Sequence, residues 1–231
     1  MKKKLQQFIN KLLQPLVNFL IRLKIDPNTI TSVGFFLNLV ATVIFIYGAE
    51  RGERPQLSFV GWAGLFILIG GLFDILDGQL ARSGHMSSKF GAFFDSVLDR
   101  YSEAIMFMGI SYFLVAHSYF FSSLLAFISF IGSMMVSYTR ARAEGLGIEC
   151  TVGVMQRPER VVLVGLAASV CGIVGAYEGG NVKYLKELMN PIPPFETISI
   201  LTIPVAIVAI FANFTAFQRV RYCYRVLEKD E

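Results

Sequence analysis

The sequence predicts an all-α membrane protein in which six transmembrane helices cross the bilayer and an amphipathic surface helix precedes them. Hydrophobic residues make up 54% of the 231 residues, and the mean hydropathy is +0.56. Six stretches also approach the length of about twenty mostly apolar residues that crosses a bilayer as a helix. These stretches are residues 30–48, 58–80, 90–115, 119–139, 160–177 and 197–217. We therefore expect one membrane domain over residues 1–231, with a transmembrane core at 26–221 and a cytoplasmic tail at 222–231.

Residues 1–24 are expected to form a helix that lies on the membrane surface. Apolar side chains recur there at helical spacing, with lysine and glutamine on the opposite side; they are Phe8, Ile9, Leu12, Leu13, Leu16, Val17, Leu20 and Ile21. This pattern is typical of an interfacial amphipathic helix. A signal peptide is not expected, because the segment has neither a long apolar core nor a small-residue cleavage site.

The first span opens with the residues Asp-Pro-Asn-Thr-Ile-Thr at positions 26–31. Proline is favoured near the start of a helix, and asparagine and threonine are common capping residues. We therefore expect a helix to begin here, with Asn28 and Thr31 available as caps.

The second and third spans carry four aspartates in otherwise apolar sequence. Asp74 and Asp77 are three residues apart and Asp95 and Asp99 are four apart, so each pair shares one face of its helix. An ionised carboxylate in a membrane helix costs about 3 kcal/mol on insertion scales, and like charges this close need cations between them. Because carboxylate oxygens are preferred ligands of hard divalent cations, the pattern predicts a metal site.

The alternative is that the aspartates form buried ion pairs, for which the nearby cationic residues are Arg82, Lys89 and Arg100. Glu103 follows Asp99 on the same stripe of the helix. We expect it either to pair with an arginine or to extend the polar cavity, and we assign it no catalytic role.

Arginines gather at the two helix ends that flank the loop between the fourth and fifth spans. Arg140 lies at the end of one helix, and Arg157 and Arg160 lie at the start of the next. Because arginine pairs well with phosphate, these three side chains are expected to converge on the phosphate of an anionic substrate. The alternative is that they only reach toward lipid headgroups.

The basic residues also predict the orientation in the membrane. Of the 21 lysines and arginines, seventeen face the cytoplasm if the N-terminus does, and the exceptions are Arg51, Arg54, Lys183 and Lys186. This positive-inside bias places the N-terminus and the aspartates on the cytoplasmic side of the inner membrane. Residues 181–196 are then expected to form an extracytoplasmic loop, in which the prolines of 191–194 discourage a helix.

Composition bears on the partners as well. The net charge of +4 suits anionic lipid headgroups, and no basic patch with interleaved aromatic residues supports nucleic-acid binding. The three cysteines have neither the number nor the spacing of a disulfide framework or a zinc site. Membrane lipid is therefore the expected partner, and no nucleic acid is expected.

The aspartate region matches a known signature. Residues 74–99 follow D-x-x-D-G-x-x-A-R-x(8)-G-x-x-x-D-x-x-x-D, and the fixed positions are Asp74, Asp77, Gly78, Ala81, Arg82, Gly91, Asp95 and Asp99. The sequence thus resembles the CDP-alcohol phosphotransferases, integral membrane enzymes of phospholipid synthesis. The resemblance implies that a hydroxyl attacks the lipid-side phosphorus of CDP-diacylglycerol and that CMP leaves. It also suggests a homodimer.

The resemblance further implies roles for individual residues. Asp74, Asp77 and Asp95 are metal ligands, and Asp99 both binds metal and acts as the general base; the implied cofactor is two Mg²⁺ or Mn²⁺ ions. The residues implied to bind the CDP-lipid are Asn28, Thr31, Asp77, Gly78, Ala81, Arg82 and Gly91. The first two are thus expected either to cap a helix or to contact the ligand.

Two more motifs resemble the branch of this family that makes phosphatidylinositol phosphate from inositol 1-phosphate. Residues 137–144 follow S-Y-x-[KR]-A-R-A-E, and residues 157–160 read R-P-E-R. The resemblance implies an acceptor-phosphate site formed by Arg140, Arg157, Arg160 and Arg219, with Arg221 as an alternative to the last. Neutral acceptors such as serine, choline or free inositol would not need several arginines.

Three alternatives stay open. Glycerol 3-phosphate is also a phosphorylated acceptor and would give phosphatidylglycerophosphate. A divalent-cation transporter is possible because intramembrane carboxylates also line ion pathways, although transporters tend to place their sites near the midplane between repeated halves. A non-catalytic scaffold would leave the four aspartates unexplained.

Overall fold

The computed structural model describes residues 2–53, 56–181, 183–184 and 195–228. Within these residues the chain forms seven α-helices and one pair of two-residue antiparallel strands. The elements are α1 (Lys2–Arg22), α2 (Pro27–Arg51), α3 (Ser58–Ser83), α4 (Lys89–Ala116), α5 (Phe120–Glu144), α6 (Arg157–Glu178), β1 (Lys183–Tyr184), β2 (Phe195–Glu196) and α7 (Ser199–Leu227). The prediction of an all-α protein is confirmed apart from this short strand pair.

Five of the described helices, α2, α3, α5, α6 and α7, are long and apolar enough to cross a membrane. They coincide with five of the six expected spans. α4 occupies the position of the remaining span, but Asp95, Asp99, Arg100 and Glu103 make it less apolar. An integral membrane protein is therefore confirmed, with five spans identified by length and composition.

Two expectations about loops and ends have different outcomes. α7 continues to Leu227, so residues 222–227 of the expected tail are helical. No glycine or proline lies between Phe217 and Leu227, so no residue in this stretch interrupts the helix. The prolines of 191–194, most of the expected loop around them, and residues 229–231 lie outside the described residues.

Helices α2 to α7 form a closed ring. α3 packs between α2 and α6, α7 packs between α6 and α5, and α4 packs between α5 and α2. The ring encloses a buried apolar core that includes Phe45, Ile67, Phe107, Phe113 and Leu201. In this order α3 and α6 are neighbours, although two helices separate them along the chain.

Small residues bring α3 and α6 into backbone contact. A Cβ atom on Gly61 would lie 2.8 Å from the Cα atom of Gly172, and a Cβ atom on Gly64 would lie 2.8 Å from the carbonyl oxygen of Gly165. Small residues allow membrane helices to approach this closely. The contact places the start of α6 beside the end of α3 that carries the aspartates.

The helix expected over residues 1–24 is present as α1. Val17 and Leu20 near its end are buried against Leu76 of α3, so this part of the helix is docked on the domain. The side chains of Phe8 and Ile9, which were part of the predicted apolar face, lie outside the described part of the structure.

Candidate metal and nucleotide site

The structure brings the four aspartates together from two helices. Asp74 and Asp77 lie near the end of α3, and Asp95 and Asp99 lie in the first half of α4. Asp95 is close enough to interact electrostatically with each of the other three carboxylates. The helical spacing thus predicted correctly that the two pairs face one another.

One arginine joins two of these aspartates. Nη1 of Arg157, the first residue of α6, lies 2.5 Å from Oδ2 of Asp74 and 2.8 Å from Oδ1 of Asp99. The sequence pointed to Arg82, Lys89 and Arg100 as nearby cations. Of these three, only the last makes an ion pair with an aspartate within the described residues, at 3.8 Å from Asp99.

The other two aspartates, Asp77 and Asp95, line a cavity of about 190 Å³ at the ends of α2, α3 and α4. The cavity also contains every residue that the sequence predicted for the CDP-lipid. The lining residues are Asp26, Pro27, Asn28, Thr31, Asp77, Gly78, Ala81, Arg82, Met86, Ser87, Ser88, Gly91, Ala92 and Asp95.

The start of α2 shows what Asn28 and Thr31 do. The helix cap is Asp26, whose carboxylate accepts a hydrogen bond from the backbone N–H of Asn28 at 2.9 Å. Capping by Asn28 or Thr31 is therefore wrong, because Asp26 already holds the cap position. Oγ1 of Thr31 instead lies 2.6 Å from Oδ2 of Asp77 and donates to this buried carboxylate. Both residues line the cavity.

Two glycines keep the cavity open. A Cβ atom on Gly78 would lie 3.3 Å from the guanidinium of Arg82, and a Cβ atom on Gly91 would lie 3.0 Å from Oγ of Ser88 and 3.2 Å from Oδ1 of Asn28. Ser88 caps α4 by accepting a hydrogen bond from the N–H of Gly91 at 2.9 Å. Ser88 was not predicted from the sequence, although a serine just before a helix is a recognisable capping signal.

The four carboxylates have the chemistry of a divalent-cation site, because hard oxygen ligands suit Mg²⁺ and Mn²⁺. The nitrogen of Arg157 already marks a cationic position between Asp74 and Asp99. No three carboxylate, imidazole or thiolate groups among the described residues are arranged to hold a metal as they stand. The donor set therefore fits a metal, while the guanidinium of Arg157 contacts two of these carboxylates.

Arg160 does not take part in the predicted phosphate cluster. Its side chain is 0% exposed and that of Glu103 is 1% exposed. Nε and Nη2 of Arg160 each donate to one carboxylate oxygen of Glu103 at 2.8 Å, and Nη1 donates to the carbonyl oxygen of Met155 at 3.0 Å. The prediction that Arg160 binds the acceptor is wrong, because these contacts occupy all three nitrogens. The expectation that Glu103 pairs with an arginine is confirmed.

The remaining predicted arginines lie apart. Arg219 is buried, with Nε 2.9 Å from the carbonyl oxygen of Val152 and Nη1 2.5 Å from that of Val136. Arg140 is exposed at the end of α5, where it pairs with Glu144 at 2.8 Å. The structure does not bring the predicted arginines onto one point.

Arg221, the alternative to Arg219, lines a separate cavity of about 310 Å³ together with Gln218 and Arg225. None of the residues that line the cavity at Asp77 lines this one. Arg221 therefore lies outside the cavity that contains Asp77 and Asp95.

Comparison with known proteins identifies relatives of this chain. The family model described as CDP-alcohol phosphatidyltransferase matches residues 24–177. An archaetidylinositol phosphate synthase of Methanothermobacter thermautotrophicus is 34% identical over 164 residues, which are 71% of this chain and 74% of the relative. A phosphatidylinositol phosphate synthase of Mycobacteroides abscessus is 30% identical over 167 residues, which are 71% of this chain and 71% of the relative.

Solved structures share the fold. The phosphatidylinositol phosphate synthase of Mycobacterium tuberculosis with CDP-DAG bound has a TM-score of 0.72 at 22% identity, covering 93% of this chain and 94% of that chain. The same protein in complex with manganese and citrate has a TM-score of 0.64 at 24% identity, covering 91% and 88%. Together with the family match over most of its length, the site described above leads to one conclusion: the chain belongs to the CDP-alcohol phosphatidyltransferase family.

Proposed function

We propose that the protein transfers a phosphatidyl group from CDP-diacylglycerol to a hydroxyl of inositol 1-phosphate, giving phosphatidylinositol phosphate and CMP. The observation that carries this proposal is the cavity of about 190 Å³ beside Asp77 and Asp95, because it gathers all the residues expected at the CDP-lipid. Family membership supports transfer from a CDP-linked lipid, and the names of the relatives support an inositol phosphate as acceptor. A cation transporter or a scaffold would explain neither the family membership nor the names of the relatives.

In this reaction an oxygen of the acceptor hydroxyl bonds to the lipid-side phosphorus, and the bond from that phosphorus to the oxygen of CMP breaks. The hydroxyl loses its proton, for which Asp99 is the proposed acceptor. The carboxylate of Asp99 is 15% exposed and lies beside the start of α6. An acceptor bound at Arg157 would therefore present its hydroxyl within reach of Asp99.

We propose that Asp74, Asp77, Asp95 and Asp99 hold two Mg²⁺ or Mn²⁺ ions. Such ions neutralise charge on a diphosphate and make a bound hydroxyl more acidic. The orientation of one ligand is set by the protein itself, since Thr31 fixes the carboxylate of Asp77.

The nucleotide is proposed to lie in the cavity between α2, α3 and α4. Gly78 and Gly91 allow the ligand to approach the backbone there, since neither carries a side chain. Arg82, on the cavity wall, would pair with a phosphate of the CDP group through its planar guanidinium. Asn28 and Ala81 complete the wall.

The lipid chains are proposed to lie in another cavity, of about 400 Å³, between α3 and α6. Leu68, Leu72 and Val162 line it, and Asp74 and Arg157 lie at its polar end. An apolar groove that ends at the metal ligands suits a donor whose reacting phosphorus must reach them while its tails stay in lipid.

The acceptor phosphate is proposed to bind at the start of α6. Arg157 is the main contact, because it lies beside Asp99 and its side chain is 19% exposed. Arg140 is exposed at the neighbouring helix end and is the proposed second contact. Arg219 would stabilise this region without contacting the acceptor, by donating hydrogen bonds to the carbonyl oxygens of Val136 and Val152.

We further propose that α4 is the sixth span, because it is one of the six helices of the closed ring. α1 would lie on the membrane surface, and residues 26–221 would form the core of a single domain over 1–231. The positive-inside bias supports a cytoplasmic N-terminus and active site. A homodimer is the proposed assembly, and chemical crosslinking in native membranes tests it.

The function is tested with purified protein in nanodiscs that contain CDP-diacylglycerol and Mg²⁺. Inositol 1-phosphate, glycerol 3-phosphate, serine and free inositol are offered separately, and CMP release and the mass of the lipid product are measured. We expect CMP release with inositol 1-phosphate alone and none from the Asp95→Asn variant. Turnover with glycerol 3-phosphate would overturn the acceptor, and no release with any acceptor would overturn the reaction.

A further inference from the structure

Two arginines of the first turn of α6 are held in very different ways. Arg160 uses Nε, Nη1 and Nη2 in hydrogen bonds to Glu103 and Met155. Arg157 makes both of its ion pairs through one nitrogen, Nη1, and its buried Nε has no hydrogen-bond partner among the described residues. Arg160 is therefore anchored in the fold, whereas Arg157 is held mainly by the charges of Asp74 and Asp99.

The position of Arg157 conflicts with a metal on the same ligands. A divalent cation between Asp74 and Asp99 would need the carboxylate oxygens that now contact Nη1, and two cations repel each other at such distances. The two aspartates can satisfy the guanidinium or the metal, but not both in this geometry. Since Arg160 fixes the helix, only the side chain of Arg157 needs to move.

We propose that Arg157 is a placeholder for the metal: it holds Asp74 and Asp99 while no divalent cation is bound, and it leaves them when the cation binds. The released guanidinium then becomes available to the phosphate of the acceptor. Acceptor binding would in this way depend on the metal. The inference rests on the proposed function, because it takes the aspartates as metal ligands and Arg157 as an acceptor contact.

The first test measures Mn²⁺ binding to purified protein without substrates, from the electron paramagnetic resonance signal of free Mn²⁺. Arg157→Gln removes the competing cation, so we expect Mn²⁺ to bind roughly tenfold more tightly than to the wild type, within the usual range of coupling between sites. The matched control is Arg100→Gln, which removes an equal charge 3.8 Å from Asp99 without removing a bridge, and it should change the affinity much less. Equal effects in the two variants would overturn the proposal, as would unchanged or weaker binding in Arg157→Gln.

The second test begins with the wild type, so its first outcome does not depend on the folding of a variant. Binding of inositol 1-phosphate is measured by calorimetry with and without Mn²⁺, and linkage predicts that the metal strengthens it roughly tenfold. In Arg157→Gln this gain should disappear. If the variant keeps the gain, the metal acts on the phosphate directly and the proposal fails; a wild type without any gain has the same consequence.

The two tests separate this inference from the proposed function. If the wild type binds no Mn²⁺ and releases no CMP, the proposed function itself is wrong. Suppose instead that the wild type binds Mn²⁺ and releases CMP, and that Asp95→Asn loses Mn²⁺ binding. Unchanged Mn²⁺ binding in Arg157→Gln then contradicts only the placeholder role.

Discussion

Arg160 of α6 and Glu103 of α4 form a two-point ion pair in the interior of the helix ring, with both N–O distances at 2.8 Å. The same guanidinium holds the carbonyl oxygen of Met155, two residues before α6 begins. The pair therefore joins α4 to the segment that leads into α6, and it fixes the position at which α6 begins with Arg157.

Breaking this pair is expected to destabilise the protein strongly. Arg160→Met leaves the carboxylate of Glu103 buried without its cation, which costs about 3 to 5 kcal/mol in comparable cases. Unfolding in mixed detergent micelles measures the change in free energy. Arg140→Met, which breaks the exposed pair with Glu144, is the comparison and should cost less than about 1 kcal/mol. Similar losses in both variants would contradict the structural role of Arg160.

The hydrogen bond from Thr31 to Asp77 is expected to matter for activity more than for folding. Thr31→Val keeps the shape of the side chain and removes the donor, so the carboxylate of Asp77 loses a partner at the cavity. We expect kcat/KM for CDP-diacylglycerol to fall about tenfold, which corresponds to about 1.4 kcal/mol. Thr31→Ser keeps the hydroxyl and should stay within about twofold of the wild type, so equal losses in the two variants would argue against the hydrogen bond.

Gly91 is expected to control access of the donor lipid. In Gly91→Ala the new Cβ atom would meet Ser88 and Asn28 at 3.0 and 3.2 Å, so the cavity wall must shift. Small displacements of binding groups are costly, and we expect KM for CDP-diacylglycerol to rise about tenfold. Gly145→Ala is the control, because its Cβ atom would have its nearest neighbours at 3.5 Å. An unchanged KM in Gly91→Ala would mean that the nucleotide does not approach this backbone.

The composition of the cavity could be predicted from the sequence because its parts are local. Asp77, Gly78, Ala81 and Arg82 lie within two turns of one helix, and helical geometry alone places them along one side. Gly91 and Asp95 share a face of the next helix in the same way. Their convergence needed only that these two helices point their polar faces at each other.

The partners of the arginines could not be predicted in this way. Arg157 meets Asp74 and Asp99 because the ring closes with α6 against α3. Arg160 meets Glu103 because the same arrangement brings the start of α6 to α4. That closure depends on contacts such as Gly61 against Gly172, whose pairing is not visible in either segment. The sequence therefore showed the right residue types near the site but could not separate an anchored arginine from one that faces the aspartates.

Metal removal is expected to abolish activity and to lower stability. Dialysis against EDTA should reduce CMP release to background, and Mg²⁺ or Mn²⁺ should restore it. A cation that binds only the folded protein also raises its melting temperature. Asp95→Asn should lose that rise, because it removes a proposed metal ligand that interacts with the other three aspartates. Full activity after thorough chelation would contradict the metal site.

Asp99→Asn is expected to remove most of the activity while the fold is kept. A general base contributes about a hundredfold or more to a proton transfer, and the amide that replaces the carboxylate cannot accept the proton. Arg157 retains its ion pair with Asp74 at 2.5 Å, so the start of α6 keeps one of its two contacts and the melting temperature should change little. CMP release with saturating inositol 1-phosphate measures the loss in kcat. Glu50→Gln, an exposed change at the far end of α2, is the control for loss of one negative charge. If Asp99→Asn raised only KM, Asp99 would bind substrate or metal without accepting the proton.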